Sequence, residues 1–164
     1  MTATPTEFDG HFERAFGVLF AAAMRPATRI LRSTAEAEDV AAEVLARVYV
    51  DWRRLADEPW VEAWTVRVST NLAIDRVRRQ ARRPLPVLEV SKAGEWEVRM
   101  DLVSVVARLP RRQRQAVSLR YFGDLSEVDV AAVMDVSVGT VKRHVHRGLE
   151  KIRAELGEGW ALGW

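Results

Sequence analysis

Cysteine is absent from all 164 residues. That excludes a disulfide framework and a thiolate metal site, and it suits a reducing compartment. Long hydrophobic runs are missing too. The longest nearly apolar stretch, Phe16 to Met24, falls far short of the roughly 20 residues a helix needs to span a bilayer. The opening MTATPTEFDG has neither the basic region nor the apolar core of a signal peptide. The chain is therefore expected to be cytoplasmic, without membrane insertion. Lysine is scarce: 22 of the 25 cationic residues are Arg, the side chain that grips phosphates and guanine edges with two parallel hydrogen bonds. No alternating strand pattern of useful length occurs anywhere.

What is present is helical. Apolar residues make up 48% and charged residues 29% of the chain, the balance of a folded domain or of two small ones. Phe8, Phe12, Phe16, Leu19, Phe20 and Ala23 form one face of a first helix that Pro26 is expected to kink or end. Ser33 and Glu36 spell a capping box for a second helix, in which Val40, Val44, Val48 and Trp52 step by four. A third helix runs from about Trp60 to Arg79, with Trp64, Val68 and Leu72 facing inward. Residues 82–98 hold two prolines and a glycine and lack a helical period, so they read as a linker. Helices follow at about 99–109, 111–122, 126–134 and 137–156.

The expected fold is all-α: two small helical domains, 7–81 and 99–156, joined by the flexible linker 82–98, with a loose tail over 157–164. The net charge of +2 hides an uneven distribution. Residues 1–50 carry a net −2, while 51–83 and 110–156 each carry +3. Two basic patches in separate modules point to two contacts with one polyanion.

Residues 126–156 have the grammar of a helix-turn-helix. Ser126 stands at an N-cap with Asp129 as a partial capping box, and the turn begins at Asp135. Ser137 caps a longer helix whose buried stripe is Val138, Val141, Val145, Leu149, Ile152 and Leu156. Off the stripe lie Thr140, Lys142, Arg143, His146, Arg147 and Lys151, nearly all donors to phosphates or base edges. An ordinary solvated basic face would show the same periodicity. The capped helix and short turn in front of it favour a DNA-reading role.

The third helix offers a second nucleic-acid surface. Arg67, Asn71, Asp75 and Arg79 are four apart and form one polar stripe. Arg76, Arg78, Arg82 and Arg83 extend the charge, and Trp60 and Trp64 open the helix. Rings beside guanidinium groups suit unpaired bases, which need a face to stack on and cations along the backbone. Trp64 could equally serve the core.

With both patches in view, the chain resembles the sigma factors of bacterial RNA polymerase, in the small two-domain extracytoplasmic-function class. The resemblance runs from about Phe8 to Leu156. AEDVAAEVLARVYVDW (37–52) is similar to the helix that grips the β′ clamp helices, and EAWTVRVSTNLAIDRVRRQARR (62–83) to the helix that melts and reads the minus-ten element. LPRRQRQAVSLRYFGDLSEVDVAAVMDVSVGTVKRHVHRGLEKIR (109–153) resembles the promoter-binding domain nearly throughout.

By position, the resemblance implies contacts with the minus thirty-five element from Thr140, Lys142, Arg143, His146 and Arg147, with Arg111, Arg112 and Arg114 near the DNA backbone. It implies a single-strand reader in Asn71, Asp75 and the loop Asp57–Trp60, with Arg67, Arg76 and Arg79 on phosphates. Asp39, Glu43, Arg47 and Trp52 would meet polymerase. The implied partners are core RNA polymerase through its β′ clamp helices and β flap, promoter DNA and an anti-sigma factor; no cofactor or metal is implied. Two positions depart from the family pattern. Ala42 stands where Gln is usual, and Arg143 stands where a small residue is common.

Two other classes remain open. In a stand-alone helix-turn-helix regulator, residues 1–80 would dimerise or sense a signal, and the protein alone would footprint a palindromic operator. An enzyme is poorly supported. His144 and His146 point to different helix faces, and Glu36, Glu38, Asp39 and Glu43 suit a helix start better than a metal.

Overall fold

Periodicity and capping decide the architecture. In the computed structural model, residues 5–31, 33–80 and 102–157 are described, and every regular element among them is an α-helix. These are α1 (Pro5–Leu31), α2 (Thr34–Val50), α3 (Trp52–Leu55), α4 (Val61–Gln80), α5 (102–108), α6 (Arg111–Tyr121), α7 (Glu127–Met134) and α8 (Val138–Leu156). The expected linker 82–98 and nearly all of the tail lie outside the described residues.

Caps fall where the sequence puts them. Ser33 Oγ accepts from the Glu36 amide at 3.3 Å and starts α2, a cap worth roughly 1 kcal/mol. The reciprocal half of that box is not made. The Glu36 carboxylate instead accepts from Gln80 Nε2 at 2.8 Å, tying the start of α2 to the end of α4.

The first unit packs α1, α2 and α4 together. Val40, Val44, Val48 and Trp52 are buried as expected. Three details refine the expected pattern. Of the two outcomes expected at Pro26, a kink or an end, the end does not occur: α1 continues to Leu31. Buried Ala22, Ala23, Ala27 and Ile30 hold the helix across the break that proline makes in its hydrogen-bond ladder. The aromatic face of α1 is not uniformly interior: Leu19 and Ala23 are buried, whereas Phe16 is 45% exposed and stacks on Phe20.

The third is a correction and concerns α4. Trp64, Val68 and Leu72 are only partly buried, and the deepest face carries Val66, Ala73 and Ile74 alongside Thr65, Ser69 and Thr70. These small polar residues fit because their hydroxyls are satisfied by main-chain carbonyls. Thr65 donates to Val61, Thr70 to Val66, and Ser69 across to Ala23 of α1.

In the second unit α8 lies across α6, with α7 beside both. Gly148 permits the close approach of α8. A Cβ there would come within 2.6 Å of Val117 Cγ2.

The two units pack against each other. Ala22, Ala63 and Val66 of the first share one buried cluster with Leu119, Leu125, Val130, Val133 and Met134 of the second. Another cluster joins Ile74 and Val77 of α4 to Val105 and Val106 of α5. Periodicity identifies an apolar face but not what covers it, and each unit turns part of its apolar face toward the other. Polar contacts edge this seam. Arg25 donates to the Gly123 carbonyl, and Arg29 to the carbonyls of Tyr121 and Phe122.

Candidate nucleic-acid interface

The helix-turn-helix is built from α7 and α8. Ser126 Oγ accepts from the Asp129 amide at 3.1 Å and donates to its carboxylate at 2.6 Å, closing the first turn of α7. Asp135 ends α7 in the left-handed region, φ 53° and ψ 57°, and its amide returns to the carbonyls of Ala131 and Ala132. Ser137 Oγ then accepts from the Thr140 amide at 3.2 Å and starts α8. Val141, Gly148 and Ile152 are buried beneath α8, while Val145 and Leu149 are partly covered.

That burial turns the basic side outward. Lys142, Arg143, His146 and Arg147 are exposed, and Thr140 is half-buried. Lys142 pairs with Glu127 at 3.6 Å and His146 faces Glu150 at 3.4 Å. Both pairs are solvent-exposed, and a surface pair such as Lys142–Glu127 is worth about 0–1 kcal/mol. Arg143 and Arg147 make no ion pair among the described residues. His144, half-buried between them, has its pKa lowered by burial first and then by Arg112, Arg143 and Arg147.

The arginines at the start of α6 are differently placed. Arg111 is exposed, while Arg112 reaches the Met134 carbonyl at 3.3 Å. Arg114 turns back to the carbonyls of Ala107 and Leu109, at 3.0 and 3.4 Å. Its Nη1 thus closes the end of α5 in this arrangement.

On α4 the polar stripe is only partly open. Asn71, Asp75 and Arg79 are exposed. Arg67 is half-buried, and its Nη1 donates to the Val133 carbonyl at 2.6 Å. Burial, then the nearby Arg112 and Arg111, lower its pKa. Arg76 donates to the Glu36 carbonyl at 3.1 Å and lies 3.8 Å from Asp39, so it braces α2. Arg79 returns to the Asp75 carbonyl of its own helix. In the α3–α4 turn Asp57 is exposed and Trp60 is packed partly against the core.

Asp39, Glu43 and Arg47 share the exposed face of α2, Glu43 and Arg47 pairing at 2.7 Å. Trp52 does not join them. It is 2% exposed and its ring meets Phe12 edge-on at 5.2 Å, so it supports that helix from within and presents no surface to a partner.

Arg25, Arg29 and Gly148 carry no weight in the sequence reading, yet the first two edge the seam and the third sets the depth of α8. A signal for Gly148 is present: it falls on the α8 face that carries Val141, Val145 and Ile152. Nothing local marks the arginines.

Comparison with known proteins agrees with this geometry. Residues 21–83 match the Sigma-70 region 2 family, and residues 99–152 match Sigma-70, region 4. The RNA polymerase sigma-E factor of Streptomyces coelicolor is 33% identical over 141 residues, covering 82% of this chain and 80% of that protein. The ECF RNA polymerase sigma factor SigW of Bacillus subtilis is 29% identical over 150 residues, covering 78% and 79%. Among solved structures, the sigma factor RpoE of Bartonella quintana, crystallised in complex with the anti-sigma factor NepR, superposes with a TM-score of 0.58. It is 19% identical, and the match covers 88% of this chain and 96% of that one. A chain whose described elements are all helical, that carries both sigma-70 regions in this order and matches such relatives along most of their length belongs to the extracytoplasmic-function class of RNA polymerase sigma factors, initiation factors that direct polymerase to promoters.

Proposed function

We propose that this factor reads its promoter twice, as duplex at the minus thirty-five element and as melted single strand at the minus-ten element. The observation that carries the reading is the exposed row Lys142, Arg143, His146 and Arg147 on a capped second helix whose opposite side is buried. Such a helix enters the major groove with its basic side toward base edges and phosphates. Thr140 and Arg143, near its start, would set sequence preference, and Arg111 and Arg112 would hold the flanking backbone.

The strand reader is Asn71 and Asp75 with the Asp57–Trp60 turn, and Arg67, Arg76 and Arg79 supply cations beside it. Trp60 is only partly buried, and stacking requires an accessible ring face. Arg67 and Arg76 each give Nη1 to a main-chain carbonyl here, so strand capture through those same donors requires local rearrangement. For Arg67 that means α7 moving off α4. Arg114 would join Arg111 and Arg112 on the duplex backbone through the donors it keeps free of Ala107 and Leu109.

Asp39, Glu43 and Arg47 form the exposed face offered to the β′ clamp helices, and the second unit engages the β flap. An anti-sigma factor is the expected regulator, and the factor works in the cytoplasm, where polymerase and promoter are. Among the described residues no helix is long and apolar enough to cross a membrane.

The test is a pull-down with core polymerase followed by run-off transcription on a pool of genomic promoters. Promoter-specific transcripts that need both protein and core support the reading. A footprint on a palindromic site by the protein alone, with no polymerase binding, overturns it in favour of a dimeric regulator.

A further inference from the structure

The seam gathers more positive charge than it neutralises. Between α4 and the first turn of α6 lies a cleft of about 200 Å³, lined among others by Arg67, Asn71, Asp75, Arg111 and Arg114. Three arginines thus line a cleft that holds one carboxylate, and that carboxylate, Asp75, already lies 3.8 Å from Arg78. Burial and mutual repulsion act on the same groups: Arg114 has its pKa lowered by burial first, then by Arg78 and, after the opposing Asp75, by Arg111. The cations come from both units, Arg67 from the first and Arg111 and Arg114 from the second. A guanidinium has five donors, so those that reach carbonyls keep others for a ligand.

We propose that this cleft binds a small oligophosphate, either inorganic or the phosphate tail of a nucleotide, and that the bound anion holds the two units closed. Three features select that chemistry. Guanidinium forks match phosphate oxygens in bidentate fashion. A single monovalent anion would leave most of the charge uncompensated, whereas linked phosphates meet several arginines at once. The volume also lies below the roughly 300–1,000 Å³ of ordinary drug-sized ligand pockets, which suits a compact polyanion. The inference rests on the closed packing and not on promoter reading, so it can fail or stand independently of the proposed function.

The absence of cysteine makes the test direct. Ala42→Cys on α2 and Ala154→Cys on α8, both exposed, take a donor and acceptor dye on the full chain. Pyrophosphate, tripolyphosphate and adenosine triphosphate are titrated at fixed ionic strength, in urea that sets the energy-transfer signal midway. A saturable rise in transfer is expected, its midpoint raised at least tenfold by Arg111→Gln. Arg153→Gln, which removes the same charge near the end of α8, should move it less than twofold. Equal action of tripolyphosphate and adenosine triphosphate assigns the site to the phosphate chain alone, and tighter action of the nucleotide assigns it to a nucleotide. No saturable change, or equal loss in Arg111→Gln and Arg153→Gln, overturns the proposal.

Discussion

Arg67 on α4 and Val133 on α7 are joined by a 2.6 Å hydrogen bond from the guanidinium to the main-chain carbonyl. The bond crosses the seam, beside the shared cluster of Val66, Leu119 and Val130. Burying a Val or Leu side chain contributes about 1.5–3 kcal/mol, so the apolar residues dominate closure and the arginine fixes its register.

Gly123 tests how tightly that seam is packed. A Cβ at this position would lie 2.6 Å from Val66 Cγ1 and 2.8 Å from the Leu119 carbonyl. Val is stiff about χ1, and overpacking of this kind costs about 1–3 kcal/mol. Gly123→Ala should therefore raise the radius of gyration measured by small-angle scattering while circular dichroism shows unchanged helix content. An unchanged radius together with an unchanged melting temperature would remove the seam from the account.

Gly148→Ala probes the fit of α8 on α6. Alanine gains about 1 kcal/mol of helix propensity over glycine. The 2.6 Å approach to buried Val117 acts against it, at about 1–3 kcal/mol. The net effect should be a lower urea midpoint, and a higher midpoint would show that α8 can shift without strain.

Arg143→Ala and Arg147→Ala separate DNA reading from polymerase binding. A variant that neutralises one phosphate fewer should show a slope of log affinity against log salt that is shallower by about 0.9. Holoenzyme binding to a promoter fragment, measured at several salt concentrations, gives that slope. Affinity for core polymerase should not change, and its loss would contradict the proposed division between the two units.

His144 makes stability depend on pH. Its folded pKa lies below the ordinary 6.5 because burial, then Arg112, Arg143 and Arg147, disfavour the imidazolium. The unfolded chain therefore takes up the proton more readily. The contribution is complete above pH 6.5 and is lost as pH falls through the lower folded value. Urea midpoints at pH 7.5 and 5.5 should differ less in His144→Gln than in the wild type, and an equal difference would mean that this histidine is not perturbed.

Much of this is legible in the residues. The caps at Ser33, Ser126 and Ser137 and the stripe through Val141 and Ile152 follow from local rules that act within one or two helical turns. Two other features are not legible. Thr65, Ser69 and Thr70 read as polar, yet they are buried because each hydroxyl finds a carbonyl close by. The seam depends on pairs as distant in sequence as Arg25 and Gly123, and no periodicity encodes such a pair. Trp52 shows the opposite error. Its place on the apolar stripe marks it as core and its place in a motif marks it as a polymerase contact, and the stripe is right.

Arg25 and Arg29 bring a last consequence. Their donors meet carbonyls at the final turn of α6, which that helix cannot satisfy from within. One unit thus supplies the terminal cap of a helix belonging to the other. If the units part, the exposed end of α6 turns to water for its hydrogen bonds and should fray. Amide exchange at Tyr121–Gly123 would then report separation without any dye, lattice or ligand.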